Sequence, residues 1–99
     1  MMLRTDLRSA RPAITDRYAP IVLYGTRWCA ASQMLRRHLD RLGVPYIYRD
    51  MERDPEAARQ VRWWTGGYFS HPTVQIGGDT LVEPRPEEVE WALARSGVI

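Results

Sequence analysis

The residue with the clearest chemical potential is Cys29, the sole cysteine among 99 residues. It closes the run Gly25-Thr26-Arg27-Trp28-Cys29 and precedes a stretch with helical apolar spacing, which sets the sulfur at or beside a helix N-terminus. Free backbone N–H groups and the helix dipole stabilise a thiolate there, and thiols so placed ionise with pKa values of about 3.5 to 7.5. Arg27 adds a positive charge close by. A competing reading is a buried structural cysteine, since free Cys is among the residue types most often inside. Cys29 instead precedes the apolar stripe and lies past the carboxyl end of a strand, the edge where open α/β sheets take ligands, which favours a reactive thiol. One cysteine excludes an intrachain disulfide, a CxxC pair and a multi-cysteine zinc site, so any redox cycle draws its second thiol from another molecule. All 14 cationic residues are arginine, which excludes Schiff-base and lysine general-base catalysis.

The elements that must position Cys29 follow from patterning. Pro20 to Gly25 is a short, β-branched apolar run closed by glycine, a strand buried on both faces. From Ala30 to Leu42, Ala31, Leu35, Leu39 and Leu42 recur at helical spacing, Met34 widens the stripe, and Gly43 ends the helix. Val44 to Arg49 reads as a second strand, laid parallel to the first by the helical crossover. Asp54-Pro55-Glu56 supplies a cap, a first-position proline and a first-turn acid for a helix running to about Trp64, which Gly66-Gly67 breaks. Thr73 to Ile76 and Asp79 to Val82 flank Gly77-Gly78 as a hairpin. A last helix starts near Pro86, buries Val89, Ala92 and Leu93, and carries Glu87, Glu88 and Glu90 against its positive end. The expected class is α/β, with a central four-stranded mixed sheet and the order β-α-β-α-β-β-α. Residues 20–99 form that one domain. Residues 1–19 form an Arg-rich extension ahead of it, with a short helix around residues 3 to 10.

Composition narrows the partners. Apolar residues make up 44% and charged residues 26%, which is ordinary globular usage and excludes a disordered or repetitive chain. Residues 1–37 carry a net charge of +5 and residues 38–99 a net charge of −3. The basic N-terminal segment lacks interleaved aromatic platforms, so no nucleic-acid partner is expected. No stretch reaches the roughly 20 apolar residues of a membrane span, and no apolar leader opens the chain. The expectation is a soluble, cytoplasmic monomer with no resident cofactor and no metal site.

The element order, the Trp28-Cys29-x-x-Ser32 motif after the first strand and the His71-Pro72-Thr73-Val74 segment entering the third resemble the glutaredoxin branch of the thioredoxin superfamily, over about residues 20 to 95. The run Tyr24 to Cys29, the Gly66-Gly67 pair and Glu83-Pro84 are most similar to the mycoredoxin and NrdH-redoxin type. That resemblance implies a thioredoxin fold, a nucleophilic thiolate at Cys29, and Pro72 as a cis-proline facing it. It further implies a groove for a low-molecular-weight thiol or a cysteine-containing peptide, in which the backbone before the cis-proline pairs with substrate as an added strand. Arg27, Trp28, Ser32, Pro72 and Thr73 are the expected substrate-binding residues, with Arg27 steering anionic substrate.

The departures from the family pattern sharpen the expectation. Ser32 stands where a second cysteine is usual, making this a monothiol variant, and its hydroxyl either caps the helix or hydrogen-bonds the thiolate. Val82-Glu83-Pro84-Arg85 replaces the glycine-rich Ser/Thr-Asp loop that holds glutathione, which leaves the small thiol open between glutathione and mycothiol. Arg85 is either a carboxylate contact or a solvated charge. His71 replaces a valine-like residue before Pro72; its imidazole either flanks Cys29, lowering the thiol pKa and serving as a second catalytic residue, or turns to solvent. Helical spacing points Trp64 inward, leaving Trp63, Tyr68 and Trp28 as a candidate apolar wall, while His38 reads as a boundary residue with no role. The expected activity is monothiol reduction of mixed disulfides between proteins and a small thiol. The alternatives are an iron–sulfur cluster carrier, whose usual Cys-Gly-Phe-Ser motif and upstream lysine are missing, and a redox-inert interaction module.

Overall fold

Ile-Val-Leu-Tyr-Gly forms β1 (Ile21–Gly25), buried along its whole length because both faces of this central strand are covered by helices. The computed structural model describes residues 21–67 and 71–98, so the extension at 1–19, its expected short helix, and Tyr68 lie outside the described residues. β1 is followed by α1 (Ala30–Leu42), β2 (Ile47–Asp50), α2 (Pro55–Thr65), β3 (Thr73–Ile76), β4 (Asp79–Val82) and α3 (Pro86–Arg95). The sheet order is β2-β1-β3-β4. β1 and β2 are parallel, with Val22 opposite Ile47 and Gly25 opposite Asp50, while β1–β3 and β3–β4 are antiparallel.

The alternation of β1 divides the core. Ile21 and Leu23 join Val74 and Ile76 on one face, under Leu35 and Leu39 of α1 and Val89, Ala92 and Leu93 of α3. Val22 and Tyr24 point the other way, against Met51 and the α2 residues Ala57, Ala58 and Val61. Each such aliphatic side chain removed from water contributes about 1.5–3 kcal/mol. Between α1 and α3, His38 Nε2 stands 2.9 Å from Glu90 Oε2 with only 14% of the His38 side chain exposed. At the start of α2, Asp54 Oδ1 accepts from the Ala57 N–H at 3.1 Å while its other oxygen pairs with Arg49 at 2.6 Å. Hydrogen bonds from Arg49, then from the Ala57 N–H, hold this carboxyl below its usual pKa.

Two sequence expectations are corrected. β2 begins at Ile47, three residues later than expected. Its one strand neighbour, β1, offers partners only from Val22 to Gly25, and Pro45 has no N–H to contribute, so Val44 packs against the α1/α3 core from outside the ladder. The buried stripe of α1 is Ser32, Leu35 and Leu39; Ala31 is exposed, and Met34 and Leu42 are 47% and 37% exposed. The helix is turned so that Ser32, not Ala31, faces the strand, and Gly25 makes that orientation possible. A Cβ at Gly25 would stand 2.6 Å from Ser32 Oγ and 2.8 Å from Ser32 Cβ, closer than packed carbon atoms approach.

Candidate active site

Past Gly25 the chain turns sharply to start α1. Thr26 is buried, and its carbonyl accepts from the Cys29 N–H at 3.4 Å and from Gln33 Nε2 at 3.0 Å, closing the loop that carries Arg27 and Trp28. Cys29 is the N-cap of α1, with extended backbone angles of φ −90° and ψ 115°. Its own carbonyl accepts from the Gln33 N–H at 3.1 Å, and its side chain projects partly exposed at the helix start. The thiol donates to the His71 carbonyl at 3.8 Å. The His71–Pro72 peptide bond is cis, and Pro72, itself buried, offers its carbonyl to the Glu83 N–H at 2.8 Å. The loop after β4 is thereby fastened to the segment that faces the thiol.

The environment favours ionisation of Cys29, whose pKa is lowered from 9.0 to about 7. Burial is the largest single influence and opposes ionisation, but it is outweighed by the Ser32 hydroxyl and N–H, the His71 side chain and the Ala31 N–H, donors placed to favour the ionised sulfur. The Ser32 hydroxyl is fully buried with no partner in the structure, so an ionised sulfur next to it is the acceptor it lacks. The nucleophilic thiolate is thereby brought within reach at neutral pH.

Cys29, Ser32, His71 and Pro72 thus come together. Ser32 and Thr73, both expected among the substrate-binding residues, are 0% exposed. Ser32 acts on the sulfur from beneath, and Thr73 is the first residue of β3, opposite Tyr24 and Val82. Arg27 and Trp28 lie at the surface, the guanidinium 5.6 Å above the indole, with Trp28 76% exposed. Trp63 is 81% exposed, whereas Trp64 turns inward and meets the Tyr24 ring edge-on at 5.3 Å. Trp63 borders an open groove of about 1020 Å³ along α2, together with Tyr24, Arg49, Gln60 and Gly67. Sequence reasoning missed Thr26 and Gln33, whose seven-residue spacing across a helix start was the available signal.

A thiolate-stabilising helix start set against a cis-proline, on a β2-β1-β3-β4 sheet covered by helices on both faces, defines an α/β protein of thioredoxin-like fold. Residues 21–81 match the family described as Glutaredoxin. The chain belongs to the glutaredoxin family. Among solved structures, it is similar to a glutaredoxin from Archaeoglobus fulgidus, with 20% identity, 77% of this chain and 87% of that chain covered, and a TM-score of 0.67. The NrdH-redoxin of Escherichia coli is similar at 24% identity, with 72% and 91% covered and a TM-score of 0.63. A buckwheat glutaredoxin–glutathione complex is similar at 22% identity, with 80% and 71% covered and a TM-score of 0.58. A comparison with curated proteins finds no match. Among the described residues no helix is long and apolar enough to cross a membrane, and no three His, Cys, Asp or Glu side chains gather as a metal site.

Proposed function

We propose that this glutaredoxin-family chain is a monothiol thiol–disulfide oxidoreductase that reduces mixed disulfides between proteins and a low-molecular-weight thiol. The observation that carries the reading is the single Cys29 thiol, capping α1 with a pKa lowered to about 7 and set 3.8 Å from the carbonyl of the cis His71–Pro72 unit.

In the first step the Cys29 thiolate attacks the small-thiol sulfur of the mixed disulfide. A Cys29–small-thiol disulfide forms, the original S–S bond breaks, and the protein sulfur leaves as a thiolate that takes up a proton. In the second step a free small-thiol thiolate attacks its own counterpart on Cys29, releasing the symmetric disulfide and regenerating the Cys29 thiolate. The net exchange consumes one small thiol and returns one reduced protein thiol. Ser32 stabilises Cys29 as nucleophile in the first step and as leaving group in the second. His71 contributes its side chain to the thiolate and a proton to the departing protein sulfur. Its backbone pairs with an extended substrate segment, while Trp28 and Pro72 shape the groove and Arg27 draws anionic substrate. The complex of the buckwheat relative supports a thiol of the glutathione class, and the mycoredoxin-like motifs support mycothiol. A cytoplasmic setting, where thiols are kept reduced, suits an unpaired catalytic cysteine.

The test is mass spectrometry of the chain after exposure to oxidised glutathione and, separately, oxidised mycothiol. An adduct on Cys29 with one of them, removed by the matching free thiol, is the expected result and names the co-substrate. No adduct with either, together with slow alkylation of Cys29 at neutral pH, sinks the proposal and leaves a redox-inert interaction module.

A further inference from the structure

Cys29 reaches the start of α1 by way of a short turn, and that turn is fastened through its carbonyls. Gly25 accepts from the Met51 N–H at 2.9 Å, Thr26 from Gln33 Nε2 at 3.0 Å, and Cys29 from the Gln33 N–H at 3.1 Å. Gln33 therefore grips the turn twice, once by an ordinary helical backbone bond and once by a side chain that reaches seven residues back. The turn's own closing bond, from the Cys29 N–H to the Thr26 carbonyl, is 3.4 Å long. That lies beyond the usual N–H···O range of about 2.7–3.2 Å, so the firmer tie on this carbonyl is the Gln33 amide. Arg27 and Trp28, between Thr26 and Cys29, are exposed and add little packing to hold the turn. The type of side chain matters as well as its reach. α2 opens with Glu56 and α3 with Glu87 and Glu88, whereas the first turn of α1 carries no acid. The thiolate is thus the anion that the α1 dipole stabilises, and a carboxylate beside it would compete for the dipole and repel the sulfur. An amide supplies a donor without a charge.

We propose that Gln33 is a positioning residue for Cys29: its neutral amide holds the Thr26 carbonyl against the first turn of α1 and so keeps the sulfur at the helix N-terminus. This role rests on the reading of Cys29 as the reacting thiol, and Gln33 acts on the sulfur through the turn. Among groups that carry a charge or a labile proton, Arg27 lies on the same turn and His71 faces the sulfur from the cis-proline segment. Tyr48 of β2 borders Gln33, with Arg36, Asp50 and Glu52 about the phenol.

The test is the pH dependence of Cys29 alkylation in the full chain, which reads one sulfur because there is one cysteine. Gln33→Met keeps the length of the side chain and removes the donor. It is expected to raise the thiol pKa by about half a unit, which slows alkylation at pH 7 about twofold. Gln33→Glu removes the donor and adds a negative charge, so its midpoint rises further, and added salt returns it towards that of Gln33→Met. A side chain with a merely structural part lowers the thermal midpoint and leaves the titration in place. An unchanged titration in Gln33→Met, or equal midpoints for Gln33→Met and Gln33→Glu at low salt, overturns the proposal. If Gln33→Met fails to fold, Gln33→Glu decides through the rise that persists at high salt, and no such rise overturns the role. Alkylation needs no disulfide substrate, so this outcome is read separately from the adduct experiment that tests the oxidoreductase reading.

Discussion

Gly25→Ala is the most informative single substitution in the fold because it acts where the strand end, the helix and the thiol meet. The added Cβ falls 2.6 Å from Ser32 Oγ and 2.8 Å from Ser32 Cβ. Rotation about χ1 of Ser32 relieves the first contact and cannot relieve the second, since Cβ is fixed to the helix backbone. The first turn of α1 must therefore lift away from β1. Overpacking of this kind costs about 1–3 kcal/mol, and for a domain of this size each 1 kcal/mol lowers the thermal midpoint by about 4–8 °C. Cys29 caps that same turn, so its sulfur is carried away from the His71 carbonyl, now 3.8 Å distant, and its alkylation at pH 7 slows. The assay is denaturant unfolding of Gly25→Ala, Ser32→Gly and the double variant. Ser32→Gly removes both contacted atoms, so the double variant should lose most of the Gly25→Ala penalty. A penalty under about 0.5 kcal/mol, or one undiminished without the Ser32 side chain, refutes the packing argument.

His71→Ala is expected to raise the Cys29 pKa by about half a unit, a modest shift because the sulfur is partly exposed; titration of alkylation rate against pH checks it, and an unchanged midpoint removes the histidine from the site. Because the folded thiol ionises near pH 7 and an unfolded one near 9.0, the folded state binds fewer protons between these values, so this group's contribution to stability is lost as pH falls from 9 to 7. Thermal midpoints should accordingly rise across that window by more in the native chain than in Cys29→Ser, and parallel curves for the two would contradict the lowered pKa. Asp54→Ala loses the helix cap and its ion pair with Arg49, at an expected cost of about 1–2 kcal/mol in chemical unfolding; Asp54→Asn, which keeps the cap and weakens the ion pair, should recover about half of it.

How far the sequence carries the structure depends on whether a feature is local. The buried run of β1, the Asp54-Pro55 helix start, the two-glycine hairpin and the Val89, Ala92, Leu93 face of α3 are each written within ten residues or so, and the structure shows them where the patterns place them. The start of β2 is not local. Val44-Pro45-Tyr46 has strand-like composition, but the ladder's length is set by the residues β1 can offer in partnership. The phase of α1 is misread for the same reason, since hydrophobicity selects Ala31 and only the missing side chain of Gly25 selects Ser32. At the site, Cys29 is legible from its place before a helix and His71–Pro72 from the family resemblance.

The hydrogen bond from the Glu83 N–H to the Pro72 carbonyl joins two stretches that the chain order keeps apart. One presents the cis-proline to the sulfur, and the other is the Val82 to Arg85 loop leading into α3. A displacement of either stretch is therefore passed to the other through this bond, by a route that does not run through the helix carrying the thiol.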